Sequence, residues 1–205
     1  MTFDEALRER ARTHLARFAR RPAPLENRRA AAVAVVLLPD DDGRACLLIT
    51  RRVPKLRAHG GQWALPGGRL DAGETATAAA LRELCEEVGC VAGEDAVLGV
   101  LDDYPTRSGF VITPVVVWGG DHVTLTANPD EVASIHKVPL AELDRPDVPT
   151  LISIPESERP VIQLPLLGTM IHAPTAAVIF QTREVVVHGR PTRVDHFEQP
   201  VWAWR

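Results

Sequence analysis

Residues 30–38 read AAAVAVVLL, an apolar run without a polar interruption, and such a run suits a strand buried inside a sheet. Asp40-Asp41-Asp42-Gly43 forms a turn signal after it, and Ala45–Arg51 (ACLLITR) reads as its hairpin partner. Further strands are expected at Ala96–Leu101, Val111–Trp118 and Ser134–Val138. Helices are expected near Thr75–Val88 and Thr175–Val187, the second after the start signal His172-Ala173-Pro174-Thr175. Strands and helices interleave, which predicts an α+β or α/β chain folded as an α/β/α sandwich. With 45% hydrophobic residues in 205, the chain can bury one sizeable core.

Ahead of the first strand, residues 2–19 read as an amphipathic helix with Phe3, Leu7, Leu15 and Phe18 near one face. Thr2 and Glu5 resemble a capping box, and Pro22 and Pro24 turn Arg20–Arg29 into a short linker. The net charge of −4 creates no field that would draw nucleic acid or an anionic membrane. No stretch approaches the roughly 18 apolar residues that span a bilayer. The first residues lack the apolar core of a secretory signal, and Asp4, Glu5 and Glu9 argue against a transit peptide. Cys46, Cys85 and Cys90 are odd in number and lack metal-ligand spacing; they read as reduced thiols, which makes the cytoplasm the expected location. The oligomeric state is not legible, and a homodimer is compatible with the sequence.

The chemistry concentrates in residues 68–90, GRLDAGETATAAALRELCEEVGC. Gly67-Gly68 reads as the end of a turn after Leu65-Pro66, where positive φ and close approach to a ligand are available to glycine. On the helix that follows, Glu83, Glu86 and Glu87 fall at roughly 0°, 300° and 40° of the wheel, with Leu81, Leu84, Cys85 and Val88 expected on the packed side. Three carboxylates on one face repel one another unless a divalent cation neutralises them. Hard oxygen ligands favour Mg²⁺ or Mn²⁺. Arg82 lies beside Glu86 on the wheel and can reach back toward Glu74.

This segment resembles the Nudix box, G-x5-E-x7-R-E-U-x-E-E-x-G-U with U a bulky apolar residue. Gly68, Glu74, Arg82, Glu83, Glu86, Glu87 and Gly89 fill every fixed position; Leu84 fills the first apolar one, and Cys90 is a small departure at the last. Seven such matches arise by chance on the order of once in 10⁸ windows. Leu101–Val117 and Asn128–Leu143 are also similar to stretches that follow the box in this family. The resemblance implies a Nudix fold, a mixed β-sheet between helices. The domain division expected is an N-terminal helix and linker over 1–28 and a Nudix hydrolase domain over 29–205.

It further implies hydrolysis of the diphosphate in a nucleotide-type small molecule. Glu83, Glu86, Glu87 and the Gly68 carbonyl would hold the metal, and Arg82 with Glu74 would fix the loop against the helix. Glu86 and Glu131 are the two candidates for the general base. Leu47–Gly68 (LLITRRVPKLRAHGGQWALPGG) is similar to the motif preceding the box in coenzyme A pyrophosphatases. Leu47, Leu48, Arg52, Arg57, Gly61, Pro66, Gly67 and Gly68 match, whereas Ile49, Arg51, Val53 and Leu65 depart from it. That likeness implies coenzyme A or acyl-coenzyme A as substrate, split into 3′,5′-ADP and 4′-phosphopantetheine or its derivative. Arg52, Arg57 and His59 are then candidate phosphate contacts. ADP-ribose, a dinucleotide or another nucleotide is the alternative, and a nucleotide-binding module without turnover is a further one. Trp202 and Trp204 read as buried area rather than base-stacking rings. Neither a P-loop nor an H-E-x-x-H zinc motif is present.

Overall fold

The structure, a computed structural model, describes residues 1–55 and 60–204. Arg57 and His59 lie outside the described residues. The apolar run becomes β1 (Arg29–Pro39), hairpinned to β2 (Ala45–Arg52) through Leu37↔Leu47 and Pro39↔Ala45. Along its other edge β1 runs parallel to β7 (Phe110–Trp118), from Arg29↔Phe110 to Leu37↔Trp118. The two-residue period sorts the side chains of β1. Ala32, Ala34, Val36 and Leu38 pack under α2 (Ala76–Val88), whereas Val35 and Leu37 join the core on the opposite face. The sheet is completed by β3 (Trp63–Ala64), β4 (Gly67–Arg69), β5 (Val97–Val100), β6 (Tyr104–Pro105) and β8 (Val132–Pro139), the last pairing antiparallel with β2.

The hairpin edge of β1 is divided between two partners. Leu37–Pro39 pair with β2, Ala31–Val33 pair with β4, and the Ala34 N–H donates to the Pro66 carbonyl at 2.8 Å between them. The β1 edge thus passes from one partner to the other beside Gly67-Gly68.

The opposite face carries α1 (Glu5–Arg17) and α3 (Thr175–Thr182), the latter continued by a π-turn over Arg183–Val187. The Thr182 hydroxyl donates to the Val178 carbonyl at 2.8 Å, a bond that competes with the regular helical ladder. A second antiparallel sheet, β9 (Thr150–Ile154), β10 (Ser157–Leu166) and β11 (Thr169–His172), shares this core through Ile162, Leu164 and Ile171. The residue pattern over 150–172 does not announce these strands. The expected mixed sheet between helices is present. No described helix is long and apolar enough to cross a membrane.

Two local expectations are corrected. Asp4, not Thr2, caps α1: its carboxylate accepts the Leu7 N–H at 2.8 Å, while Thr2 bridges to Arg44 and Phe3 stacks on Trp118 at 3.8 Å. The pairing at the sheet end draws Thr2 away from the helix. Phe18 is extended, so the helix stops at Arg17. The stretch Arg20–Arg29 is irregular as its prolines require, yet it is strapped down: Arg20 pairs with Asp103 at 2.6 Å, and the Arg21 N–H donates to Asp102 at 2.7 Å.

Candidate active site

Thr75 caps α2 by accepting the Ala78 N–H at 3.1 Å, and Gly89 ends it in the left-handed region at φ 69°. Between these ends the buried stripe is Ala79, Ala80, Leu84, Glu87 and Val88. The packed arc therefore centres on Leu84 rather than on Leu81 and Cys85. Two expectations fail for that reason: Cys85 is exposed, and Glu87 lies at the edge of the packed arc, only 1% exposed.

Gly67 and Gly68 are also not a positive-φ turn; both lie in the strand β4. Glycine is required there by close approach. A Cβ at Gly67 would strike the Ala32 carbonyl and come 2.8 Å from Val33 Cα, and one at Gly68 would come 2.6 Å from Glu83 Cδ. The helix and the strand thus meet through a carboxylate laid on a bare backbone.

Arg82 organises the acids around it. Its guanidinium donates to Glu74 at 3.0 and 3.1 Å, to Glu83 at 2.9 Å, to Glu86 at 3.0 Å and to the Arg69 carbonyl at 3.1 Å. Glu74 also accepts the Asp71 N–H at 2.9 Å, and the Arg82 fork holds its carboxyl below the usual range. One cation cannot neutralise three or four carboxylates, so the cluster remains short of positive charge.

Glu87 lies deeper. Arg52 Nη1 donates to its Oε1 at 3.3 Å, while Oε2 is buried with no partner among the described residues. Burial pushes its pKa up to about 7, with Glu83 and Glu131 adding repulsion and Arg52 opposing them. Burial likewise raises Glu83 against the pull of Arg82. Among the described residues, no three acid, histidine or cysteine side chains stand close enough to cage an ion by themselves. The donor set still fits a hard divalent cation: carboxylate oxygens on one helix, an unpartnered buried oxygen at Glu87, and the backbone of Gly68 against Glu83.

The raised pKa has a measurable consequence. Between the ordinary value of 4.5 and about 7, folded Glu87 keeps a proton that the unfolded chain has released. That stability is complete below 4.5 and is lost as pH rises through 7. Metal-free protein should therefore be more stable to denaturant at pH 5 than at pH 8, by up to about 3 kcal/mol. Glu87→Gln should flatten that difference. An unchanged pH dependence in the variant would remove Glu87 as its source.

The acids and a cavity of about 450 Å³ on the far face of the sheet share part of their surroundings. Arg52, Gly67 and Gly68 border both. Trp63, Phe110, Ile112 and Val178 give the cavity apolar walls, and Arg29 and Arg69 reach its rim over the Phe110 ring, at 4.5 and 5.4 Å from the ring centre. Sequence reasoning missed Arg29 and Arg69. The pairing of Ala31 with Arg69 and of Arg29 with Phe110 is what gathers them, and only the register shows it. The structure brings Arg52, Glu83, Glu86 and Glu87 together with Arg82. Glu131 precedes β8, close enough for its charge to be felt at Glu83 and Glu87. Trp204 donates its indole N–H to the Gln199 carbonyl at 2.8 Å, whereas Trp202 is 52% exposed and meets His172 edge-on, contrary to the burial expected of it.

A mixed sheet with an acid-bearing helix laid on a glycine strand places the chain among α/β/α sandwich proteins, and residues 28–158 match the NUDIX domain model. The chain belongs to the Nudix family, whose enzymes generally use divalent metal ions. It is 42% identical over 117 residues to a protein of Citrobacter koseri described as an uncharacterized Nudix hydrolase NudL, covering 57% of this chain and 60% of that one. It is 34% identical over 166 residues to Nudix hydrolase 3 of Caenorhabditis elegans, covering 79% of this chain and 63% of that one. The alignments thus span about six-tenths of the length of these relatives. Among solved structures, a MutT/nudix family protein from Enterococcus faecalis superposes with a TM-score of 0.57 at 19% identity, over 80% of this chain and 65% of that one. That likeness concerns the fold.

Proposed function

We propose that the protein is a Mg²⁺- or Mn²⁺-dependent hydrolase that splits the diphosphate of coenzyme A or acyl-coenzyme A, releasing 3′,5′-ADP and 4′-phosphopantetheine or its derivative. Glu87 carries the hydrolase reading: a buried carboxylate with an oxygen unpartnered among the described residues, on the helix that bears Glu83 and Glu86, near a cavity of about 450 Å³. Glu83, Glu86, Glu87 and the Gly68 carbonyl would hold the metal. When bound, it supplies charge neutralisation at the bridging phosphates and a lowered pKa for the attacking water.

The remaining work belongs to the side chains. Arg82 positions Glu83 and Glu86 by donating to both, and Glu74 fixes Arg82 in turn. Arg52 faces Glu87 and borders the cavity, which suits it to the diphosphate rather than to a remote phosphate. For the base, Glu131 has the simpler position: its carboxylate forms no hydrogen bond among the described residues, whereas Glu86 is held by Arg82 at 3.0 Å. Support for coenzyme A comes from the Leu47–Gly68 motif and from the rim arginines Arg29 and Arg69, which suit a multiply phosphorylated ligand.

Purified protein with Mg²⁺ or Mn²⁺ should convert coenzyme A to 3′,5′-ADP and 4′-phosphopantetheine, resolved by liquid chromatography. Arg52→Ala should lower kcat/KM equally on coenzyme A and on dephospho-coenzyme A, by roughly 10- to 100-fold, because both share the diphosphate. Turnover of ADP-ribose or a dinucleotide without turnover of coenzyme A would withdraw the substrate assignment and keep the hydrolase. Metal binding with no turnover of any of them would mark a nucleotide-binding module.

A further inference from the structure

The cavity has two walls of different origin. The sheet supplies Ala31, Val33, Phe110 and Ile112, whereas Pro174, Thr175, Val178, Gln199 and Ala203 lie beyond residue 158, where the family match ends. In this second wall three residues are apolar. Thr175 is committed, its hydroxyl donating to the Trp63 carbonyl at 3.2 Å. Gln199 is not.

Gln199 is 2% exposed, and its backbone is anchored at both ends. Its N–H donates to Glu198 Oε1 at 2.9 Å, and its carbonyl accepts the Trp204 indole N–H at 2.8 Å. Glu198 is itself fixed by Arg107 at 2.6 and 3.2 Å and by the Ser157 hydroxyl at 3.0 Å. The Arg107 guanidinium holds the Glu198 carboxyl down to about 2 in spite of burial, so the anchor stays charged throughout the working pH range. Of the carboxamide that this anchor presents at the cavity, Oε1 is buried with no hydrogen-bond partner among the described residues. A buried amide oxygen without a partner among the described residues opposes folding, so its retention at a cavity wall calls for a ligand.

We propose that Gln199 selects the base of the bound nucleotide, pairing its carboxamide with a purine that carries an exocyclic amino group beside a ring-nitrogen acceptor. A carboxamide offers one donor and one acceptor side by side, and the adenine edge offers the complement. A half-turn about the last side-chain bond exchanges oxygen and nitrogen, so either edge orientation can be met. Trp63, Phe110 and Val178 provide apolar surface for the ring faces. The inference rests on the proposed function only in taking the ligand to be a nucleotide.

The test is metal-free binding to the full chain, by calorimetry, of AMP and of purine riboside 5′-monophosphate, which lacks the amino group. Wild type should prefer AMP by about tenfold, and Gln199→Leu should bind both alike at the weaker level. In a ¹⁵N spectrum, the side-chain amide signal missing from Gln199→Leu should move when AMP is added to wild type and stay in place with the analogue. Equal binding of the two by wild type, no binding of either, or a preference that survives Gln199→Leu overturns the proposal. Hydrolysis of coenzyme A with equal binding of the two monophosphates would overturn it while keeping the hydrolase. AMP preference without hydrolysis of any diphosphate would do the reverse.

Discussion

Glu87→Gln should lose roughly 10³-fold or more in turnover, about 4 kcal/mol of barrier, while the chain stays folded. The substitution keeps the shape of the side chain and an acceptor for Arg52, so the contact at 3.3 Å can persist. What disappears is the negative charge that burial already disfavours and that Glu83 and Glu131 repel. At pH 8 without metal the variant should therefore unfold at the same temperature as wild type or higher. Metal affinity, followed by titration calorimetry, should fall together with turnover. Wild-type turnover in Glu87→Gln would remove this side chain from the metal set.

The paired glycines of β4 should respond in opposite ways to the same added methyl group. Gly67→Ala drives a Cβ into β1, against the Ala32 carbonyl and 2.8 Å from Val33 Cα, and neither can retreat without breaking the β1–β4 register. Overpacking against backbone should cost about 3 kcal/mol or more and depress the melting temperature. Gly68→Ala meets only the Glu83 carboxylate, the far end of a side chain that can swing aside. Stability should change by less than about 1 kcal/mol, whereas metal affinity and turnover should fall roughly 10- to 100-fold as Glu83 is displaced. A Gly68→Ala enzyme with full activity would mean that the placement of Glu83 against this strand does not matter.

Much of the site is local and could be read from the chain. The acids of α2 share a face because the helical repeat puts them there, and Thr75 and Gly89 mark its ends with a cap and a stop. Arg82 reaches Glu86 and Glu74 as the wheel and the spacing suggest. The burial of Glu87 was not legible. It depends on how α2 is rotated on the sheet, and Ala79 and Ala80 let the helix settle on the Leu84 side, leaving Cys85 in solvent. The β9–β11 sheet escaped notice because Pro160 and Pro165 punctuate β10. Pro165 is accommodated beyond Gln163↔Thr150, the last pair with β9, where one edge of β10 is free of that strand.

Short-range patterns along the chain encode its local elements. These are the buried strand Arg29–Pro39 with its hairpin, the acid-bearing helix, and the pairing of residue types that admits a divalent cation. What those elements face depends on how they pack against one another. The division of β1 between β2 and β4 sets Gly67 and Gly68 between the acids and the cavity, the register gathers Arg29, Arg69 and Phe110 at the cavity, and the anchored C-terminal segment adds Gln199 to its wall. Periodicity of 2 or 3.6 is a property of neighbours along the chain, whereas burial, a shifted pKa and a shared cavity arise between residues separated by tens of positions.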